Sequence, residues 1–179
     1  MNSSKTKRLV VCALFASICF VVTRFLSVPA FYTKGYVNLG DVVVLLCGFI
    51  MGGWHSAFAV AIGAALADAS MGYWIYFPAT FIIKGAMVIV SSCFFRKSAG
   101  KGRSVSFLFI VLACVVSEIL MLSSYFLFES LIYNSFAVAF ASLMGNVIQA
   151  VTCAVPASML IMIFKNNPAF ESFKKSLNS

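Results

Sequence analysis

Long apolar runs dominate this chain, and the polar positions that interrupt them cluster at turns. Six apolar segments stand out, at about residues 7–26, 39–51, 56–71, 78–95, 105–128 and 136–164. Each reads as a helix. The second is short; at ~1.5 Å per residue it barely crosses a bilayer, which predicts that it is tilted, kinked or sheltered. Between the first two segments, SVPAFYTKGYVN (27–38) reads as a loop. Pro29 and Gly35 break helix there, and Phe31, Tyr32 and Tyr36 suit a membrane interface. Between the third and fourth segments the chain passes Gly72 and an aromatic turn, Tyr73 to Phe77. Pro78 then opens the fourth at a tolerated early helical position. The expected fold class is an all-α membrane protein: one domain over 1–179, with six transmembrane helices and both termini cytoplasmic.

Composition agrees with the pattern. Of the 179 residues, 62% are hydrophobic and 10% charged, and mean hydropathy is +1.02. Soluble domains carry about 25% charged residues. The formal net charge of +8 would suggest nucleic acid in a soluble protein. Here Lys5, Lys7 and Arg8 precede the first segment, Arg96, Lys97, Lys101 and Arg103 fill the loop after the fourth, and Lys165, Lys174 and Lys175 close the chain. That is the positive-inside distribution, and no nucleic-acid partner is expected. The first segment is long and lacks a small-residue cleavage site, so it reads as an anchor and not as a signal peptide. Six cysteines lie in apolar segments without a CxxC and read as small packing residues. No metal, cofactor or catalytic residue is expected.

The informative positions are polar side chains inside apolar segments, where a charge costs roughly 2.5–3.5 kcal/mol on insertion scales. Asp68 lies near the end of the third segment and Lys84 about two turns into the fourth. They either neutralise each other or belong to a site. Glu118 sits in the middle of the fifth segment, with Tyr125 seven residues on along the same face and Glu129 at its end. In the sixth, Ser142, Gly145, Asn146, Gln149 and Cys153 make a polar and small stripe. Asp68, Lys84, Glu118, Asn146 and Gln149 together predict a polar cavity open to the outside. Asp41 falls in the first turn of the second segment, where the helix dipole favours an acid. In the first segment Ala13 and Ser17 are four apart, a spacing that lets another helix approach closely. His55, beside Trp54 at an inner turn, is assigned no chemistry.

Three function classes compete on these residues. A substrate-binding transport subunit needs a pocket, a cover and small-residue faces, and all have candidates. A self-sufficient secondary transporter usually shows an internal repeat with broken helices in both halves, which is not evident; a channel would need rings of similar residues. An intramembrane hydrolase needs a nucleophile with a base, or a metal cluster, and neither is present. The GKG of 100–102 lacks the GxxxxGK[ST] spacing of a phosphate loop.

Several stretches resemble the substrate-binding (S) components of energy-coupling factor (ECF) transporters, the bacterial vitamin importers. They are ALFAS in the first segment, GYVNLGDVVVLLCG around the second, ALADASMGYWIYFPATFIIKG across the third and fourth, SEILMLSSYFLFESLIY in the fifth and ASLMGNVIQA in the sixth. The resemblance covers nearly the whole chain. It is closest to the branch assigned to hydroxymethylpyrimidine or pyridoxine-type vitamins, which borders riboflavin binders. It implies a monomeric six-helix subunit in the bacterial plasma membrane that binds a small heterocyclic B vitamin from outside. A transmembrane coupling (T) subunit and two ATPases would be its partners, and they would supply the energy. The family's AxxxA contact for the coupling subunit matches Ala13 and Ser17, with serine in place of the second alanine. Ser124 precedes Tyr125, where the family commonly has glycine. Within the matching stretches Asn38, Asp41, Tyr76 and Thr80 are expected to bind substrate. Lys84, Glu118, Tyr125, Asn146 and Gln149 complete that expected set.

Overall fold

The computed structural model describes residues 3–29 and 36–178. Seven α-helices run through them: α1 (Ser3–Phe25), α2 (Gly40–Ile50), α3 (Trp54–Ser70), α4 (Phe77–Ser98), α5 (Arg103–Ile132), α6 (Phe136–Lys165) and α7 (Pro168–Asn178). A single 3-10 turn, Trp74–Tyr76, leads into α4. The protein is an all-α membrane protein apart from one small β element. Among the described residues four helical stretches are long and apolar enough to cross a membrane, Ser4–Phe25, Trp74–Ser98, Arg103–Ile132 and Phe136–Lys165. The expected second and third spans, α2 and α3, are shorter. At ~1.5 Å per residue α2 is about 16 Å long, half of a ~30 Å hydrocarbon core.

The shortness of α2 has a packing explanation. It lies among α1, α3, α4 and α6, and all of it but Val42 and Leu46 is buried. Its polar backbone ends are therefore sheltered by protein and need not reach either interface. Close approach is made possible by missing side chains. A Cβ on Gly48 would strike the Ser91 hydroxyl of α4, and one on Gly63 of α3 would strike the backbone carbonyl of Ala16 in α1. The Gly63 contact is with backbone and only glycine permits it, whereas at Gly48 the Ser91 hydroxyl would have to turn away.

Residues 27–38, expected as a plain loop, instead contain an antiparallel strand pair. Strand β1 (Ser27–Pro29) pairs with β2 (Tyr36–Asn38), Ser27 opposite Asn38 and Pro29 opposite Tyr36. Phe31, Tyr32 and Gly35 of that expectation lie outside the described residues. The hairpin sits at the end of the bundle where α1 finishes and α2 begins. At the other end, the closing basic tail is the helix α7. Phe170 stacks on Phe164 at 4.6 Å and on Phe49 at 6.3 Å between ring centroids, and Leu177 is buried. Two apolar clusters fill the interior. One, around Met87 and Met121, supports the hairpin end; the other, around Phe49, Ile110 and Ile161, is closed off by α7.

Candidate functional site

The hairpin end is built from polar side chains that the helices bring together from distant parts of the chain. Asn38 terminates β2. Its Oδ1 accepts the Gly40 N–H at 2.7 Å, which holds the start of α2, while its own N–H and Nδ2 donate to Gln149 Oε1 of α6 at 3.0 and 3.1 Å. Gln149 Nε2 donates in turn to Asp41 Oδ2 at 2.6 Å. Asp41 Oδ1 is ion-paired with Lys84 Nζ of α4. Asp41 and Lys84 are both buried, so the chain Asn38–Gln149–Asp41–Lys84 ties β2, α6, α2 and α4 through polar contacts shielded from water. An ion pair of this kind is kept by its extra hydrogen bonds, since charge burial alone is costly.

The sequence left open a pairing of Asp68 with Lys84, and the structure does not make it. Asp68 instead accepts hydroxyls from Tyr36 and Thr80, and Thr80 is in turn hydrogen-bonded to the Tyr125 hydroxyl at 2.8 Å. Thr80 is one turn closer than Lys84 to the start of α4, level with Asp68, whereas Lys84 faces the first turn of α2. A third group joins the 3-10 turn ahead of α4 to the end of α5: the Tyr76 hydroxyl donates to Glu129 Oε1 at 3.0 Å and lies 3.3 Å from the Tyr133 hydroxyl.

These networks enclose a cavity of about 60 Å³. Four tyrosines line it, Tyr36, Tyr73, Tyr76 and Tyr125. Tyr36 and Tyr73 are 5.2 Å apart, and Tyr76 and Tyr125 6.5 Å. Of the expected substrate-binding residues, Asn38, Tyr76, Thr80, Tyr125, Asn146 and Gln149 line this cavity. Asp41, Lys84 and Glu118 do not; they lie behind it. Lys84 Nζ sits 5.5 Å from the centre of the Tyr125 ring. Glu118 is buried, neither of its oxygens has a hydrogen-bond partner, and it interacts electrostatically with Asp41 and Lys84.

The cavity also takes residues outside that set: Tyr36, Tyr73, Asp68, Glu129, Ser142 and Gly145. Asp68 is one of the five residues from which the sequence predicts a polar cavity, and others were recoverable. Glu129 lies four residues beyond Tyr125 on one helix face, and Ser142, Gly145, Asn146 and Gln149 share a stripe. Tyr36 gave no signal beyond that of an interfacial aromatic.

On the opposite side of α1, Ala13 and Ser17 are exposed, and the Ser17 hydroxyl is satisfied by the Ala13 carbonyl at 2.9 Å. They therefore present a small, internally satisfied surface. Part of the neighbouring surface is a wide apolar groove between α1, α3 and α4, lined by Ala13, Ala16, Ala57, Ala61 and Gly85 among others.

A protein of Pyrococcus woesei, described as "Uncharacterized protein in gap 3'region", is 29% identical over 147 residues, which is 81% of this chain and 93% of that protein. Residues 3–166 match the family model of the ECF-type riboflavin transporter, S component. The match spans all six long and short helices of the bundle and stops just before α7, so the chain belongs to the ECF-type riboflavin transporter S component family.

Proposed function

We propose that this chain captures a small heterocyclic B vitamin or vitamin precursor in the hairpin-end cavity, with pyridoxine or hydroxymethylpyrimidine as the favoured ligand. As an S component it is a substrate-binding transport subunit and not an enzyme. The observation that carries the ligand class is the cavity wall. Four tyrosine rings stand around a space edged by Asn38, Asp68, Thr80, Glu129, Asn146 and Gln149, a combination suited to a flat aromatic ring with polar substituents. Asp41, Lys84 and Glu118 act from behind it: Asp41 orients Gln149, Lys84 backs Tyr125, and Glu118 is a buried acid beside the Asp41–Lys84 pair.

The size of the cavity favours a single-ring ligand. About 60 Å³ is well below the roughly 300–1,000 Å³ of sites for drug-sized molecules, and a one-ring vitamin needs the smaller rearrangement of the tyrosines. Riboflavin is the second reading, and what favours it is the family to which residues 3–166 match.

In this reading both termini are cytoplasmic, with α2 and α3 completing six membrane passes in a bacterial plasma membrane. The exposed Ala13–Ser17 face meets the transmembrane coupling subunit, and two ATPase subunits drive release. The competing reading is a self-sufficient transporter or channel for a small polar solute. Co-purification after expression with and without a coupling module separates the two. For the ligand, mass spectrometry of material retained on the purified chain, followed by calorimetric titration with pyridoxine, hydroxymethylpyrimidine and riboflavin, gives the test. A chain that binds none of the three, or that accumulates solute in vesicles without ATPase partners, overturns the proposal.

A further inference from the structure

Glu129 was not among the expected substrate-binding residues, yet it is the cavity-lining acid with an open position. It is 4% exposed. Its Oε1 accepts the Tyr76 hydroxyl, and its Oε2 has no hydrogen-bond partner. The Ser142 hydroxyl of α6 also stabilises the carboxylate, and Oε2 still has no partner within hydrogen-bond distance. A buried acceptor left empty is unfavourable, and a donor on a bound ligand removes that penalty. The other acid in the wall, Asp68, is already served by two hydroxyls. Both acids are therefore held as acceptors, Asp68 by a tyrosine and a threonine and Glu129 by a tyrosine.

Charge sharpens the point. Among the described residues no Lys, Arg or His lines the cavity. Lys84 is committed to Asp41 and stands behind the Tyr125 ring. A phosphate ester brought here would add negative charge and further acceptors beside two carboxylates, in a medium that screens poorly. Like-charge juxtaposition of that kind is a strong device for rejecting a wrong ligand.

We propose that Glu129 selects the substrate: its free oxygen takes a hydroxyl or N–H donor of the ligand, and together with Asp68 it excludes anionic, phosphorylated forms. The substrate class is then an uncharged or cationic heteroaromatic alcohol or amine. This rests on the hairpin-end cavity being the vitamin site.

The test is calorimetric titration of the purified full chain with pyridoxine, hydroxymethylpyrimidine and riboflavin, each paired with its monophosphate ester. For whichever vitamin binds, the ester is expected to bind roughly a hundredfold more weakly. Glu129→Gln should weaken the vitamin about tenfold and narrow the gap to its ester by a similar factor. Glu129→Asp, which keeps the charge, should weaken the vitamin while preserving the gap, and decides the matter if the glutamine variant does not fold. Equal binding of vitamin and ester by the parent overturns the selection, and so does a gap that Glu129→Gln leaves unchanged. If the parent binds none of the three vitamins in either form, the assignment of the site falls first and this inference with it.

Discussion

Lys84 of α4 is ion-paired with Asp41 of α2, while Asp68, the acid nearer to it along the chain, is held by the hydroxyls of Tyr36 and Thr80. The base is thus used to fix the shortest helix in the bundle. Removing one partner leaves the other buried and uncompensated, a loss of about 3–5 kcal/mol. Asp41→Asn and Lys84→Met are each expected to lower the thermal unfolding temperature markedly, and the double change to recover most of it. Asp68→Asn should not be rescued by Lys84→Met, because the two do not pair. A rescue of Asp68→Asn in thermal scans, with none for Asp41→Asn, would contradict this arrangement.

Asn146 and Glu118 separate direct from indirect contributions to binding. Asn146 lines the cavity and Glu118 lies behind it. Asn146→Ala should reduce vitamin affinity by roughly tenfold to a hundredfold, the range for losing a hydrogen bond or leaving a ligand group unpaired. Glu118→Gln should change it less than about threefold, since no cavity contact is lost. Titration of both variants with the vitamin bound by the parent checks this. The reverse ranking would put the ligand deeper in the bundle, against Glu118.

Two small-residue faces of α1 are expected to respond differently to added bulk. A side chain at Gly63 meets the Ala16 carbonyl, part of the backbone, which cannot rotate away. Gly63→Leu should therefore destabilise the isolated subunit. Ala13→Leu and Ser17→Leu sit on an exposed face and should leave stability and ligand affinity near the parent values. They should weaken co-purification with a coupling subunit, because bulk blocks close helix approach. Loss of ligand binding in Ala13→Leu or Ser17→Leu, with assembly intact, would count against this division of faces.

The long helices were legible because the signal is repeated over many residues. The runs expected at 78–95 and 136–164 appear as Phe77–Ser98 and Phe136–Lys165, and even the short segment at 39–51 returns as Gly40–Ile50. The strand pair was not legible: three residues per strand are too few for a period of two to register, and Pro29 argues against a strand. Helix α7 did carry a signal, with Phe170, Phe173 and Leu177 spaced for one face, but its lysines read first as an inner tail. For the site, the type of residue was visible in the sequence and the rotation of each helix was not. The sequence offered Asp68 as the partner of Lys84, and the way α2 packs against α4 gives it Asp41 instead.

The Asp41–Lys84 pair also sets an order of events during synthesis. Helix α2 emerges first, with about 16 Å of apolar length and a carboxylate that costs roughly 2.5–3.5 kcal/mol in hydrocarbon. Its counter-charge arrives more than forty residues later, from Asp41 to Lys84. Until α4 has entered the bilayer, α2 has neither the length nor the neutrality to stay there. A nascent chain stopped after Ile50 is therefore expected to leave α2 open to protease, and one extended past Ser98 to protect it, with Lys84→Met delaying that protection. The proposed vitamin site, whose floor begins at this pair, would then be among the last parts of the molecule to mature, and a nascent chain would be unable to hold its ligand before its fourth helix is in place.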